Sequence, residues 1–121
     1  MNEMYLTNIA RASIFTAILV TVGSTLAAVN AKDITIGQKN KTFVLDGTKV
    51  ESVTIKLGDT IHFGNQDPWF HNIFSLSELK TFDLGSYPQG ESRPVTFDKP
   101  GVVEIECAIH PNMSLEVTVK Q

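Results

Sequence analysis

The sequence predicts an all-β domain, either a sandwich or a barrel, because short segments of alternating apolar and polar residues follow one another between turns. In the first clear segment, Val53, Ile55 and Leu57 alternate with polar residues, as in a strand with one buried face. Turn residues, such as the pair Gly58-Asp59, separate the segments. These two observations predict many short strands in a single domain spanning residues 32–121.

The same alternation recurs towards the end of the chain. The apolar residues expected to share a buried face are Ile61 with Phe63, Val95 with Phe97, Val103 with Ile105 and Cys107, and Leu115 with Val117 and Val119. Shorter candidate strands lie at residues 34–36 and 42–45. Residues 65–70 and 85–90 are predicted to be irregular, and loops of this kind at the end of a sandwich commonly carry function.

Residues 1–31 have the layout of a secretory signal peptide. A short apolar run at residues 14–22 follows Arg11, and Ala31 and Val29 fit the −1 and −3 positions of a cleavage site after Ala31. Cleavage predicts an exported, periplasmic protein that begins at Lys32. The alternative is an uncleaved membrane anchor, since residues 12–29 approach the minimum length of a membrane span.

Charge and cysteine content narrow the function further. The chain carries 10 Lys and Arg against 13 Asp and Glu, a net charge of −3, and no basic cluster, so nucleic acid is not an expected partner. Its single Cys excludes an internal disulfide. A lone thiol in an oxidising compartment is a liability unless it is buried or bound, which makes Cys107 the first pointer to chemistry.

Residues 107–113, with the sequence CAIHPNM, bring candidate metal ligands together. The strand pattern points Cys107 inward, and Leu115 begins another inward-facing strand two residues after Met113. A tight loop between packed strands therefore gathers the Cys107 thiolate, the His110 imidazole and the Met113 thioether. Two His, one Cys and a long axial Met form a blue-copper site. His71, which follows the turn-rich residues 65–69, is the candidate second His.

These residues resemble the cupredoxin family of blue-copper proteins, whose fold is a Greek-key β-sandwich. The family has a His-Asn pair followed at a distance by a Cys-x-x-His-x-x-Met loop, which matches His71-Asn72 and then Cys107, His110 and Met113. The loop spacing is similar to that of the amicyanins, although the residues at 108, 109 and 112 differ. The resemblance implies one copper ion and a supporting role for Asn72, whose side chain would tie the His71 segment to the Cys107 loop.

Taken singly, each ligand candidate has an ordinary structural explanation. A lone Cys is commonly a buried small hydrophobe, Met113 could fill the core and His110 could be a surface residue. Their joint spacing favours copper over a structural zinc site, since zinc rarely recruits Met. His62 faces away from Ile61 and Phe63 and is expected on the exposed sheet face without a metal role.

Four protein ligands would leave no open position for substrate, which predicts a one-electron carrier rather than an enzyme. The carrier is expected to be a monomer. Additional copper centres would need further ligands, and the sequence has only three His. The resemblance implies redox partners such as a cytochrome c or a dehydrogenase, docking transiently near His110. Apolar residues available to surround it are Pro68, Trp69, Phe70, Ala108, Ile109 and Pro111. The competing hypothesis is a periplasmic copper chaperone or storage protein with an open, exchangeable site.

Overall fold

The computed structural model describes Ile18, Gly23 and residues 30–121. The predicted signal segment thus lies outside the described residues, except at Ile18, Gly23, Asn30 and Ala31. Across the described part of the chain, no helix is long and apolar enough to cross a bilayer.

Residues 30–121 contain ten strands. Their bounds are β1 Asp33–Lys39, β2 Thr42–Leu45, β3 Thr48–Lys49, β4 Ser52–Lys56, β5 Thr60–Asn65, β6 His71–Ser75, β7 Phe82–Tyr87, β8 Ser92–Thr96, β9 Gly101–Cys107 and β10 Ser114–Lys120. They form two five-stranded sheets, in the orders β3-β2-β1-β5-β8 and β4-β10-β9-β6-β7. Most pairs are antiparallel, and the parallel pairs are β1 with β5 and β4 with β10.

The predicted inward faces meet in one core between the two sheets. Ile61, Phe63 and Val95 contribute from the first sheet, and Ile105 and Leu115 contribute from the second, each at most 5% exposed. Each sheet buries one face and leaves polar residues on the other, which is the reason for the alternation in the sequence. The predicted all-β sandwich is confirmed.

The structure corrects the strand boundaries in one region. Residues 85–90 were expected to be irregular, but Gly85, Ser86 and Tyr87 belong to β7, which pairs with β6. Gly85 has φ of 70°, a value that favours glycine, and the β6–β7 register shifts between Asn72 and Phe74. Such a bulge bends the strand, which is why no plain alternation marks β7 in the sequence.

One end of the sandwich collects the irregular segments. The β5–β6 loop (residues 66–70), the β9–β10 loop (residues 108–113) and the two-residue turn between β1 and β2 all lie there. Asn40 and Lys41 form that turn with φ of 53° and 57°, the positive values of a type I′ hairpin. The candidate ligands are therefore delivered to the same end of the domain.

Candidate metal centre

Cys107 is the last residue of β9, and its side chain points into the core as predicted, with 2% exposure. The following loop is closed by main-chain hydrogen bonds. Met113 N donates to His110 O at 2.9 Å, and Cys107 N donates to Met113 O at 3.3 Å. These bonds turn the chain back on itself, so that Cys107, His110 and Met113 lie on one tight turn between the end of β9 and the start of β10.

His71 is the first residue of β6 and is completely buried. Ile73, two residues further along β6, pairs with Cys107 on β9, and Ala108 N donates to Asn72 O at 3.0 Å. The two segments that carry the distant ligands are thus adjacent strands of one sheet. The pairing of β6 with β9 therefore brings His71 close to Cys107, although the two residues are 36 positions apart in the sequence.

The ligand atoms of His71, Cys107 and His110 converge. Cys107 Sγ lies 3.6 Å from His71 Nδ1 and 3.7 Å from His110 Nδ1, and all three atoms lie within 4.8 Å of one another. Metal–nitrogen and metal–sulfur bonds of about 2.0 and 2.3 Å, meeting at about 110–120°, would separate nitrogen from sulfur by about 3.5–3.7 Å. The three residues are therefore placed to bind one metal ion.

Asp67 determines which nitrogen of His71 faces this point. Asp67 Oδ2 lies 2.8 Å from His71 Nε2, and both side chains are at most 3% exposed. Burial raises the pKa of Asp67, but hydrogen bonds from Lys41 N, from His71 and from Asn40 N outweigh it, so the pKa lies below its ordinary value. The ionised carboxylate can only accept a hydrogen, which places the His71 proton on Nε2 and leaves Nδ1 free to bind a metal.

The β1–β2 turn holds Asp67 in position. Asn40 N and Lys41 N donate to the carboxylate at 2.7 and 3.1 Å, and consecutive main-chain N–H groups of this kind form an anion-binding nest. Asp67 N in turn donates to Asn65 Oδ1 at 2.8 Å, while Asn65 Nδ2 donates to Trp69 O. His71 is thus oriented through a network that reaches the opposite sheet.

The remaining predicted residues, Met113 and Asn72, lie beside this cluster. Met113 is 1% exposed at the end of the ligand loop. The link between the His71 segment and the Cys107 loop runs through Asn72 O rather than its side chain, and within residues 30–121 the buried Asn72 Oδ1 has no hydrogen-bond partner. Ala108, which follows Cys107, has no polar side chain, so only its main chain can form hydrogen bonds with this segment. The axial role of Met113 and the side-chain role of Asn72 remain predictions.

His110 is the most accessible of the clustered residues, being half-buried where His71, Cys107 and Met113 are buried. Its ring centroid lies 4.8 Å from that of His71 and 6.3 Å from that of Trp69. Partial burial, then His71, then Lys41 lower the pKa of His110, and Asp67 opposes them weakly. The neutral imidazole, which is the form that binds metal, is therefore favoured.

Exposed apolar residues lie on the two loops that flank His110. All six residues that the sequence suggested for it are exposed, namely Pro68, Trp69, Phe70, Ala108, Ile109 and Pro111. Phe70 and Ile109 are 54% and 49% exposed, which is unusual for large apolar side chains. Lys41 lies at this surface with its Nζ 5.2 Å from the centre of the Trp69 ring.

Sequence reasoning missed Asp67 and Asn65, and did not include Lys41 in the site. Asp67 precedes His71 by four residues in an irregular loop, where that spacing implies no fixed distance, unlike in a helix. Its contacts with the β1–β2 turn span 26 and 27 residues. His62, by contrast, lies where it was expected, half-exposed on β5 and paired with Asp33 rather than with the ligand cluster.

The residues present fit a copper ion. Two imidazole nitrogens and one cysteine sulfur converge in a buried pocket, and a buried thioether lies on the same loop, which is the donor set of blue-copper sites. A plain hydrogen-bond cluster explains the geometry less well, because a single thiol proton can serve only one of the two Nδ1 atoms near Sγ.

The chain is similar to known proteins in its structure. No family model matches the chain, and no curated protein is similar in sequence. A copper-containing nitrite reductase from Thermus scotoductus SA-01 superposes with a TM-score of 0.64 at 23% identity, covering 74% of this chain but 22% of the reductase. This chain thus spans about a fifth of that enzyme.

Amicyanin structures match over most of their own length. A methionine-to-alanine mutant in the Cu(I) form superposes with a TM-score of 0.64 at 18% identity, covering 73% of this chain and 82% of amicyanin. A proline-to-glycine mutant in its reduced Cu(I) form at pH 4 superposes with a TM-score of 0.63 at 20% identity, covering 78% and 86%. At these identities the likeness establishes the fold.

Proposed function

We propose, on the premise that the chain has the cupredoxin fold, that it is a mononuclear type 1 copper protein that carries single electrons between redox proteins. His71, Cys107 and His110 would hold the copper ion, with Met113 as a weak axial ligand. When bound, copper supplies the change of oxidation state that takes up and releases one electron.

The convergence of Cys107 Sγ with two imidazole Nδ1 atoms carries this proposal. Strands fix two of these ligands, since His71 begins β6 and Cys107 ends β9, and Asp67 fixes the ring of His71. Ligands held in this way by the fold move little when the charge at the site changes, which favours fast electron exchange.

His110 and its apolar surroundings support a carrier. The half-exposed imidazole offers a short route between the buried site and the surface, and the exposed residues around it suit a weak, short-lived contact. We propose that a partner such as a cytochrome c or a dehydrogenase docks there, and that the protein acts as a monomer in the periplasm after export.

An enzymatic role lacks candidate residues. The nitrite reductase is several times longer, and this sequence contains three His, of which His62 lies on β5 paired with Asp33. A copper chaperone or store is the second hypothesis, but it requires an open site. The ligands Cys107 and His71 are 2% and 0% exposed, which disfavours ready exchange of the metal.

Copper loading tests the proposal directly. The exported protein should bind one copper ion per chain, show an intense visible absorption from thiolate-to-copper charge transfer and give a reversible one-electron voltammogram. His110→Gln and His71→Gln should lose the band, and His62→Gln serves as the matched control that keeps it. A colourless protein that releases Cu(I) readily to a chelator would support the storage hypothesis instead.

A further inference from the structure

A buried carboxylate lies at the end of the sandwich opposite the metal centre. Asp59, in the turn between β4 and β5, is 3% exposed. Its Oδ1 accepts a hydrogen bond from Lys32 N at 2.9 Å, and its Oδ2 accepts one from Lys56 N at 2.8 Å. These two donors, the largest causes, hold the pKa of Asp59 below its usual value, so the buried carboxylate is ionised at neutral pH.

At Lys32 the chain becomes hydrogen-bonded to the sandwich. Its N donates to Asp59, and its O accepts from Thr60 N at 2.9 Å, one residue before β1 begins at Asp33. Asn30 and Ala31, immediately before it, are exposed. The exposed residues therefore end, and the hydrogen-bonded residues begin, at the bond between Ala31 and Lys32. This is the bond at which the sequence predicts cleavage.

We propose that processing at this bond creates an α-ammonium group on Lys32 that forms an ion pair with the buried Asp59 carboxylate. A signal peptidase would use one water molecule to hydrolyse the amide, leaving a carboxylate on Ala31 and an amine on Lys32, which takes up a proton at neutral pH. The donor already 2.9 Å from Asp59 Oδ1 thereby gains a positive charge. A charged partner strengthens a buried hydrogen bond to a carboxylate.

Other charges near Asp59 do not replace this partner. The neighbouring charged side chains are Lys32, Lys56 and Lys120, which line a cavity of about 480 Å³ with Asp59, and Asp98, which lies beside Lys56 and Gly58. The three Lys residues are exposed, so water and salt screen their attraction for Asp59. The main-chain nitrogen of Lys32, by contrast, is in direct contact with Asp59 Oδ1.

The position of processing is tested first. The full chain is expressed with export in a bacterial host, and the N-terminus of the recovered protein is determined by intact mass and N-terminal sequencing. We expect the product to begin at Lys32. A product that retains Ala31, begins further along the chain or keeps the whole segment would overturn the proposal.

The ion pair is tested by titration of the processed protein, followed by NMR of the α-amine. We expect it to titrate at least about one pH unit above the ~7.7–8.0 of a free terminus, because a neighbouring carboxylate favours the charged form. Asp59→Asn should return the titration to the ordinary range, whereas Asp98→Asn, an exposed carboxylate paired with Lys80, should not. An ordinary titration in the unsubstituted protein would overturn the proposal without any variant.

Stability against pH provides a second measurement. A group with a raised pKa in the folded state stabilises the fold fully below its unfolded pKa, and this contribution is lost as pH rises through the folded value. The processed protein should therefore lose stability from about pH 8 upward. The unprocessed full chain, with an amide at the same position, should lack this alkaline loss, and an identical profile for the two would count against the ion pair. Neither measurement requires copper.

Discussion

The carboxylate of Asp67 lies 2.8 Å from Nε2 of His71, and the pair is buried at the end of the sandwich with Nδ1 facing Cys107 Sγ. This hydrogen bond fixes both the orientation and the tautomer of the His71 ring. Because the carboxylate accepts from Nε2, the metal-binding tautomer of His71 is already selected in the protein before any metal arrives.

Replacing Asp67 with Asn should weaken copper binding by about 10–100-fold, the usual effect of removing the group that orients a ligating His. An amide has one acceptor oxygen, so it cannot serve Asn40 N, Lys41 N and His71 Nε2 as the carboxylate does. Competition against a chelator of known affinity measures the loss. Asp33→Asn, which removes the exposed partner of His62, is the matched control and should bind copper normally.

Cys107→Ser should abolish the visible band while the β fold remains. The core of the sandwich is closed by side chains from both sheets without a metal, so the substitution should cost the metal-free protein about 1–3 kcal/mol for a buried hydroxyl. Absorption and circular dichroism of the variant check both parts. If the variant or the metal-free protein were unfolded, folding would depend on the metal.

Met113→Leu tests the axial position. The change conserves volume at a residue that is 1% exposed, so it should cost less than about 1.5 kcal/mol. Copper and colour should persist, and the reduction potential should rise because Cu(II) loses a donor. Ile55→Leu, a similar buried change at the far end of the sandwich, is the control. An unchanged potential in Met113→Leu would place its sulfur away from the metal.

Acidification should raise the reduction potential through His110. Cu(I) binds imidazole more weakly than Cu(II), so a proton competes for His110 chiefly in the reduced protein and stabilises that state. The potential should therefore rise as pH falls through the range in which His110 titrates, and should be flat above it. Voltammetry from acidic to neutral pH measures the slope, and a flat profile throughout would show that His110 is not accessible to protons.

Lys41 should determine the pH range in which His110 titrates and the potential changes. Because its charge lowers the pKa of His110, Lys41→Gln should raise that pKa and move the onset of the potential change to higher pH. Lys39→Gln removes an equal charge from the neighbouring strand and is the control. NMR titration of His110 in the metal-free protein provides a reading that does not depend on electron transfer.

The sequence alone predicted an all-β domain, a sandwich or a barrel, and the ligand loop, because both are local patterns. The cupredoxin resemblance favoured the sandwich. Alternation of period two identifies which residues of β9 and β10 face inward, and the close spacing of Cys107, His110 and Met113 places them on one turn. His71 could be proposed through the His-Asn pair of the cupredoxin resemblance. Its place beside Cys107, however, required the pairing of β6 with β9.

Only the tertiary structure revealed what surrounds the ligands. Asp67 is hydrogen-bonded to two residues of the β1–β2 turn that are 26 and 27 positions away in the sequence, and Asp59 is hydrogen-bonded to Lys32, which is 27 positions away. No local sequence pattern encodes either contact. Gly85 and the bulge in β7, where two residues face one of β6, likewise break the alternation that identified the other strands. Side-chain periodicity determines the inward face of a strand, whereas the contacts of a loop carboxylate depend on how distant segments pack, and that is decided by the assembled fold.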